Sequence, residues 1–429
     1  MLDSVYGLNG MRLNERRRQP GRSSTFGLDV EMKFSLPAPS DLASLWALDT
    51  GIAFLNHGSF GACPNAVLTT QHELRERMER QPVQFLSRDL EGLLEGPRIA
   101  LAEFADADPA DLVFVNNATT GVNAVLRSLR FERGDEILIT DHGYNACSNA
   151  ARFAADRAGA RVTVARIPFP LRSPDEVVAA VLATVTPRTR LAVVDHVTSS
   201  TGLVLPIEHL VAELEGRSVQ TLVDGAHGPG MVSLALRSLG ASYYAGNCHK
   251  WLCAPKGAAF LWVRRDRQPE VRPTVISHGA NSVRTDRSRF GLEFDWPGTA
   301  DPTAVLALPA ALALMASLRP GGWPEVMARN RALALKARAA LCEALDVAPP
   351  APDSMIGALA ALPLPDATQR PRSPIFEDAL QTALLARHGI EVPVFHFPEW
   401  PRRLLRISAQ AYNTFGQFQY LGAALRAEL

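Results

Sequence analysis

Short apolar runs alternate with helical patterns along the middle of the chain. Turn residues separate the runs, and each run is long enough for one strand of a sheet. Strands that alternate with helices favour a doubly wound α/β sheet. The predicted strands span residues 112–115, 136–140, 161–166, 191–195, 219–224 and 258–263.

The pattern changes after the last of these strands. Residues 303–345 are rich in Ala and Leu at helical spacing, and Pro320, Gly321 and Gly322 interrupt them. We interpret residues 349–374 as a Pro-rich, irregular segment. The chain then ends in a small unit, for which we predict a helix at 375–388, a strand at 404–408 and a helix from about Thr414.

The composition indicates a globular protein without an extended charged surface. The 429 residues are 47% hydrophobic and 21% charged, enough for one large core and a smaller domain. Lys and Arg number 44 against 44 Asp and Glu, so no overall field favours nucleic acid. No apolar stretch reaches the roughly 20 residues that span a bilayer, and the N-terminus lacks a secretory signal pattern. We therefore expect no membrane partner and a cytoplasmic location.

The five cysteines form no Cys-x-x-Cys pair. Their odd number fits reduced thiols and argues against zinc, so we expect no metal site. Residues 1–35 are polar and without periodicity, and we expect a disordered extension there.

Asp224 and Lys250 are the most informative pair in the sequence. Asp224 ends an apolar run and would lie at the C-terminal tip of a buried strand, where open α/β sheets bind ligands. A carboxylate there can hold a pyridinium nitrogen, and a lysine can form an imine with an aldehyde. The two residues together suit pyridoxal 5′-phosphate, and the chemistry is then expected at the α-carbon of an amino acid.

Other polar clusters follow the predicted strands. Residues 117–121 open a helix, and the hydroxyls and free N–H groups there could cradle a phosphate, although a plain Thr cap explains them too. Either His142 or Tyr144 could stack on a pyridine ring. His227 could reach the phenolic oxygen of pyridoxal phosphate.

Two further clusters complete the set. Ser199 or Thr198 could hydrogen-bond the phenolic oxygen, although a Ser/Thr turn explains them nearly as well. Asn247 and His249 flank Lys250 and could bind phosphate. Because five such clusters fall in succession at predicted strand ends, we expect them on one edge of one sheet.

With these residues, the sequence resembles the isopenicillin N epimerase-like family within the class V, fold-type I pyridoxal-phosphate enzymes. The resemblance runs from about Phe54 to Leu425. It implies a large domain with a mostly parallel seven-stranded sheet and a smaller α+β C-terminal domain. The implied boundaries are an N-terminal segment at 36–70 joining the small domain, a large cofactor-binding domain at 71–305 and a small domain at 306–429.

The resemblance also implies roles for individual residues. Lys250 would be the Schiff-base lysine and Asp224 the partner of the ring nitrogen, while Arg406 would grip a substrate carboxylate. Thr299 would reach the phosphate of a neighbouring subunit, which implies a homodimer with shared sites. The remaining implied residues are Thr119, Thr120, Asn247 and His249 at the phosphate, His227 and Ser199 near the phenolic oxygen, His142 on the ring, with Tyr144 as the alternative, and Asn56 and His57 at the substrate.

The expected reaction starts with transimination at Lys250, after which the freed lysine amine removes the α-proton of an amino acid or a small peptide. Three outcomes remain open: epimerisation, to which the family name points, β-elimination as in the family's cysteine-sulfoxide lyases, and transamination. Epimerisation needs a second acid, for which Tyr144, His57 and Cys63 are candidates. A cysteine desulfurase is disfavoured because its only candidate nucleophile, Cys342, sits in a helical pattern.

Two other classes fit less well. A catalytically silent pyridoxal-phosphate scaffold is disfavoured because every expected catalytic position is filled. A nicotinamide dehydrogenase is disfavoured because no Gly-x-Gly-x-x-Gly motif follows the first strand.

Overall fold

The computed structural model describes residues 35–370 and 378–429. The disordered extension predicted for residues 1–35 therefore lies outside the described residues, apart from Ser35. The start of the helix predicted at 375–388 lies outside them too. The strands of the described residues are β1 (Ala53–Phe54), β2 (Leu112–Val115), β3 (Glu136–Thr140), β4 (Arg161–Ala165), β5 (Thr189–Asp195), β6 (Gln220–Gly225), β7 (Tyr243–Asn247), β8 (Ala259–Val263), β9 (Leu359–Leu364), β10 (Ile390–Glu391), β11 (Val394–His396) and β12 (Arg403–Ser408).

Helices connect these strands and surround them. They are α1 (His57–Phe60), α2 (Asn65–Arg80), α3 (Leu90–Ala105), α4 (Ala118–Ser128), α5 (Asn145–Ala158), α6 (Pro174–Thr184), α7 (Ile207–Gly216), α8 (Leu236–Leu239), α9 (Arg289–Phe294), α10 (Thr303–Leu306), α11 (Leu308–Ser317), α12 (Gly322–Leu345), α13 (Ala379–His388) and α14 (Phe415–Glu428).

Seven strands form the central sheet in the order β2-β8-β7-β6-β5-β3-β4. Every neighbouring pair is parallel except the two that involve β8, which runs antiparallel to β2 and to β7. The strands are apolar along their length because helices cover both faces. One face packs on α4, α5 and α9, and the other on α3, α6 and α7. The predicted α/β class with a mostly parallel sheet is confirmed.

A second, antiparallel sheet of order β11-β12-β9 packs with α12, α13 and α14 near the C-terminus. The chain's N-terminal part reaches this region, because β1 pairs with β10 in parallel and Ala53 lies opposite Ile390. α14 begins after Thr414, whose side chain and that of Gln417 form a capping box. The predicted closing helix is therefore present.

The predicted strands match the observed ones to within two residues at either end. Five observed strands were not predicted: β1, β7, β9, β10 and β11. β7 was not predicted, although it carries Asn247 toward the Lys250 loop. The interpretation of 349–374 as irregular was wrong for β9, which pairs with β12 along its full length. Pro363 is tolerated in β9 because this strand lies at the edge of its sheet.

Among the described residues, no single helix has the length and apolarity to cross a membrane. One bent pair, Thr303–Ser317 with Gly322–Leu345, meets the criterion by length and composition only.

Candidate active site

The carboxyl ends of β2, β3, β5, β6 and β7 meet at one edge of the central sheet. β2 shares this direction because it and β7 are both antiparallel to β8. The five polar clusters predicted from the sequence therefore converge, as expected for ligand sites of open α/β sheets. They surround Lys250, which follows β7 by three residues.

The Lys250 amine contacts His227 directly. Its Nζ lies 3.1 Å from His227 Nε2, while the Trp251 indole N–H donates to His227 Nδ1 at 3.4 Å. Since Nδ1 accepts, the proton of the neutral imidazole belongs on Nε2. Burial and the adjacent Lys250 charge hold the pKa of His227 well below its usual value. The imidazole is thus a neutral donor beside the lysine.

The surroundings of Lys250 also favour its neutral form. Burial, and then the positive charge of Arg406, lower the pKa of the Lys250 amine to about 7, although the Asp224 carboxylate acts in the opposite direction. A neutral amine is the form that attacks an aldehyde or takes a proton from carbon. The site can therefore use Lys250 as a nucleophile and base near neutral pH.

Asp224 is buried and held by two hydrogen bonds. The Ala226 backbone N–H donates to Oδ1 at 3.0 Å, and the Cys147 thiol donates to Oδ2 at 3.0 Å. Asp195 lies opposite Asp224 on the neighbouring strand, and both side chains are buried. Sequence reasoning missed Cys147 and Asp195. Asp195 could have been found as a second acidic residue at the end of a predicted strand, as Asp224 was.

The first turn of α4 contains the residues predicted to cradle a phosphate. Asn117 caps the helix, and its Oδ1 accepts from the Thr120 backbone N–H at 2.8 Å and from the Thr120 hydroxyl at 3.1 Å. Asn247 Oδ1 accepts from the Ala118 N–H at 2.8 Å, which ties β7 to the helix start. Thr119 is partly exposed in the same turn. An anion at this end would meet backbone N–H groups and the positive end of the helix.

His249 lies beside this cradle as a neutral side chain. Its Nδ1–H donates to the Ala258 carbonyl at 3.1 Å. Burial and the neighbouring Lys250 charge lower the pKa of His249 to about 4. The Nε2 atom of His249 is therefore a hydrogen-bond acceptor, and the side chain is not a cation.

The two residues predicted to stack on the ring, His142 and Tyr144, differ in burial. His142 is buried, its Nδ1 lies 2.9 Å from the Thr201 hydroxyl, and Phe397 and Phe169 pack edge-on against its ring at 4.6 and 5.7 Å. Its Nε2 has no hydrogen-bond partner among the described residues. Tyr144 is 46% exposed. His142 is thus a fixed planar group, whereas Tyr144 is accessible from solvent.

Arg406 extends from β12 into the site with only 1% exposure. Its Nη1 donates to the Ser199 carbonyl at 2.6 Å and its Nη2 to the Ser59 hydroxyl at 3.1 Å. The guanidinium lies over the Phe395 ring at 4.8 Å. Burial lowers the pKa of Arg406 to about 9. A buried cation of this kind favours an anionic partner such as a substrate carboxylate.

His57 contacts the protein framework. Its Nδ1 accepts from the Tyr412 hydroxyl at 2.9 Å, and its Nε2 donates to the Lys250 carbonyl at 3.0 Å. Burial lowers the pKa of His57 to about 3. Asn56 donates to Glu391 at 3.1 Å and lies 3.5 Å from Arg406 Nη2. The turn that contains both residues therefore connects the Lys250 loop to Arg406.

Thr299 is exposed in the loop between α9 and α10. Among the described residues, no hydrogen bond connects it to the other predicted site residues.

The aminotransferase class V family model matches residues 55–355 of this chain. The chain belongs to this family. The isopenicillin N epimerase of Amycolatopsis lactamdurans is 38% identical over 90% of this chain and 99% of its own length. A probable chloroplastic L-cysteine desulfhydrase of Arabidopsis thaliana is 30% identical over 85% of this chain and 80% of its own length.

Solved structures share the fold. A lysine-to-alanine mutant of the protein C-DES, with glycine covalently linked to its pyridoxal-phosphate cofactor, aligns with a TM-score of 0.72 at 24% identity, over 88% of this chain and 96% of that chain. The predicted resemblance and the predicted dependence on pyridoxal phosphate are confirmed.

The residues present fit this cofactor. A lysine amine with a depressed pKa, a buried carboxylate at a strand end and a helix start with two threonines supply the three kinds of group that the cofactor's aldehyde, ring nitrogen and phosphate require. The unpartnered Nε2 of buried His142 adds a polar atom that no protein group satisfies among the described residues.

Proposed function

We propose that this chain is a pyridoxal-phosphate-dependent epimerase that inverts the α-carbon of an amino acid or an amino-acid-containing peptide. The observation that carries this proposal is the 38% identity to an isopenicillin N epimerase, which extends over 99% of that protein. A similarity of this extent reaches across the middle of the chain, where Lys250 and Asp224 lie.

The residues of the site have separate tasks in this reaction. Bound pyridoxal phosphate would supply an aldehyde and a protonated ring that draws electron density away from the α-carbon. Lys250 would take the α-proton, because its pKa of about 7 makes the amine a competent base at neutral pH. Asp224 would hold the proton at the ring nitrogen. Arg406 would bind the substrate carboxylate and fix which bond at the α-carbon faces Lys250.

Thr119, Thr120 and the α4 start would bind the phosphate, with Asn247 and His249 beside them. His142 would lie against the ring, and His227 with Ser199 would lie near the phenolic oxygen. Thr299 would act only across a homodimer interface. These assignments, like the domain boundaries at 70 and 305, are part of the proposal.

Epimerisation needs a second acid that returns a proton from the other side of the α-carbon. Tyr144 suits this task because it is solvent-accessible and lies within the electrostatic reach of Asp224 and Arg406. Burial, with the nearby Cys147 and Asp224, raises the pKa of Tyr144, so the phenol keeps its proton at neutral pH.

The other two candidates are less suited. Both ring nitrogens of His57 contact protein groups, Tyr412 and the Lys250 carbonyl. Cys63 is buried, its thiol donates to the Pro64 carbonyl at 3.8 Å, and burial raises its pKa to about 12. We therefore assign the second acid to Tyr144.

A carbon–sulfur lyase is the second candidate function. The 30% identity to a probable L-cysteine desulfhydrase, over 80% of that protein, favours it. In a β-elimination the same lysine removes the α-proton, but a sulfur group leaves from the β-carbon. The desulfurase alternative remains disfavoured because Cys342 is buried in α12.

Proton NMR of the purified protein with pyridoxal phosphate in heavy water distinguishes these reactions. The panel contains α-aminoadipyl peptides, free amino acids, cysteine and cysteine sulfoxides. Loss of the α-proton signal with an intact substrate and formation of the opposite enantiomer would support the epimerase. Formation of pyruvate with a sulfur product would support the lyase, and formation of a 2-oxo acid from the substrate would support an aminotransferase. Bound cofactor without any of these changes would support a scaffold.

A further inference from the structure

Two buried carboxyl groups lie side by side beneath the predicted ring-nitrogen position. Asp195 at the end of β5 and Asp224 in β6 are register partners on adjacent parallel strands. Their side chains are 5% and 3% exposed. Register partners direct their side chains to the same face, and neighbouring strands lie about 4.8 Å apart. One small apolar region therefore contains two acids.

The first turn of α5 covers this pair. The Cys147 thiol donates to Asp224 Oδ2 at 3.0 Å, and the Ala226 N–H donates to Oδ1 at 3.0 Å. The Tyr144 backbone N–H donates to Asp195. Both oxygens of Asp224 thus accept a hydrogen bond, which restricts the rotation of this side chain.

Three titratable groups act on Asp195: Asp224 on β6, Cys147 on α5 and Lys250 after β7. The backbone N–H of Tyr144, after β3, is its fourth polar neighbour. Burial and the Asp224 charge raise the pKa of Asp195 well above its usual range. Burial and Asp224 likewise raise the pKa of the Cys147 thiol. Two adjacent buried carboxyls do not both ionise readily, so the pair is expected to keep one proton. The two hydrogen bonds that Asp224 accepts favour the charge on Asp224 and the proton on Asp195.

We propose that Asp195 and Cys147 are positioning residues that keep the cluster's single negative charge on Asp224, oriented toward the cofactor's ring nitrogen. Cys147 acts as a neutral donor that fixes the carboxylate, and Asp195 acts as a protonated neighbour that adds no second charge. This inference depends on the proposed function, because it requires pyridoxal phosphate to bind with its nitrogen at Asp224.

Equilibrium binding of pyridoxal phosphate to the apoprotein tests the role of Cys147. The visible absorbance of the bound cofactor reports the binding. Cys147→Ala is expected to weaken binding about tenfold, since it removes a hydrogen bond to a charged group. Cys147→Ser keeps a donor and is expected to remain within about threefold of the wild type. Cys342→Ala removes a buried thiol from α12 and serves as the matched control.

Asp195→Asn tests the second carboxyl by a pH titration of the bound cofactor, which a purely structural role of Asp195 would leave unchanged. The amide resembles the protonated acid, so cofactor binding at neutral pH is expected to stay within about twofold of the wild type. The bound cofactor's absorbance is then titrated from about pH 6 to about pH 10. Ionisation of Asp195 is expected to add an alkaline transition to the wild-type titration, and the variant is expected to lack it.

Two results would overturn the inference: wild-type affinity in Cys147→Ala, or an unchanged pH titration in Asp195→Asn. If Cys147→Ala does not fold, Cys147→Val fills the same space without a donor and replaces it. A wild-type protein that fails to bind pyridoxal phosphate would overturn the proposed function along with this inference. Variants that match a cofactor-binding wild type would overturn the inference alone.

Discussion

Lys250 Nζ lies 3.1 Å from Nε2 of His227, and this contact joins two groups whose pKa values are both lowered. Burial is the main cause in each case, and the positive charge of either group would disfavour that of the other. The pair therefore favours one neutral amine and one neutral imidazole near physiological pH.

The pH dependence of cofactor capture follows from the Lys250 pKa of about 7. Below this pH the amine is protonated and cannot attack an aldehyde, so the capture rate is expected to rise about tenfold per pH unit and to level off above about pH 7. Stopped-flow absorbance of the apoprotein mixed with pyridoxal phosphate measures this rate. A rate that keeps rising toward the ordinary lysine pKa of about 10.4 would contradict the prediction.

Lys250→Ala is expected to lower turnover at least about a thousandfold, because it removes both the nucleophile and the proposed base. Borohydride reduction followed by mass spectrometry is expected to attach the cofactor to the wild type and not to this variant. Lys336→Ala, which removes a lysine that packs over Phe415, serves as the control and should retain both signals. Cofactor attachment in Lys250→Ala would show that another lysine is used.

Tyr144→Phe separates the two proton transfers of an epimerase. Lys250 remains, so exchange of the α-proton with heavy water is expected to continue within about tenfold of the wild-type rate. Formation of the opposite enantiomer is expected to fall about a hundredfold or more, because the donor on the other side is lost. Chiral chromatography and proton NMR of the same samples measure the two rates. Equal losses in both would contradict the assignment of Tyr144 as the second acid.

Arg406→Lys is expected to raise KM for a carboxylate-bearing substrate about tenfold to a hundredfold, because one ammonium cannot replace a bidentate guanidinium. Steady-state kinetics with the natural substrate class and with its amide derivative measure the effect. The amide, which lacks the charge, should be affected much less. Arg387→Lys changes an exposed arginine that pairs with Glu428 and is the matched control.

Gly61→Ala is expected to disrupt the loop that carries the lysine. Gly61 has φ of +72°, and a Cβ there would lie 2.0 Å from the His249 carbonyl oxygen and 2.9 Å from Lys250 Cα. The free energy of unfolding is expected to fall by about 1–3 kcal/mol, with weaker cofactor binding. Gly92→Ala, in α3 with nothing near its Cβ, is expected to gain about 0.5–1 kcal/mol. Denaturant melts compare the two variants.

The buried strands of the large sheet were predictable because each is covered on both faces and thus apolar throughout. β7 was not predicted because it ends in Gly246 and Asn247, which are residues typical of loops. β9 was not predicted because Pro363 and the prolines around this segment indicate an irregular structure, although the other five residues of the strand are apolar. β9 pairs with β12, which lies far away in the sequence, and a local sequence pattern does not predict such a long-range contact.

Sequence singled out residues whose type has a specific chemical use, such as Lys250, Asp224 and the α4 cap, and the structure brings them to one edge of the sheet. Their roles stay predictions. Cys147 and Asp195 have no such signature, since an Ala-rich helix and a strand end account for them equally well. His57 was expected at the substrate, yet its hydrogen bonds join Tyr412 and the Lys250 carbonyl. Which neighbour a buried polar group selects depends on tertiary contacts that only the folded chain supplies.

The turn that begins at Asn56 also bears on the order of events during synthesis. Its His57 forms hydrogen bonds with both the Lys250 carbonyl and the Tyr412 hydroxyl, and its Ser59 accepts a hydrogen bond from Arg406 of β12. A nascent chain that has just exposed Lys250 therefore lacks two of the partners that hold this loop. The lysine gains its framework only once β12 and the Tyr412 segment have been translated.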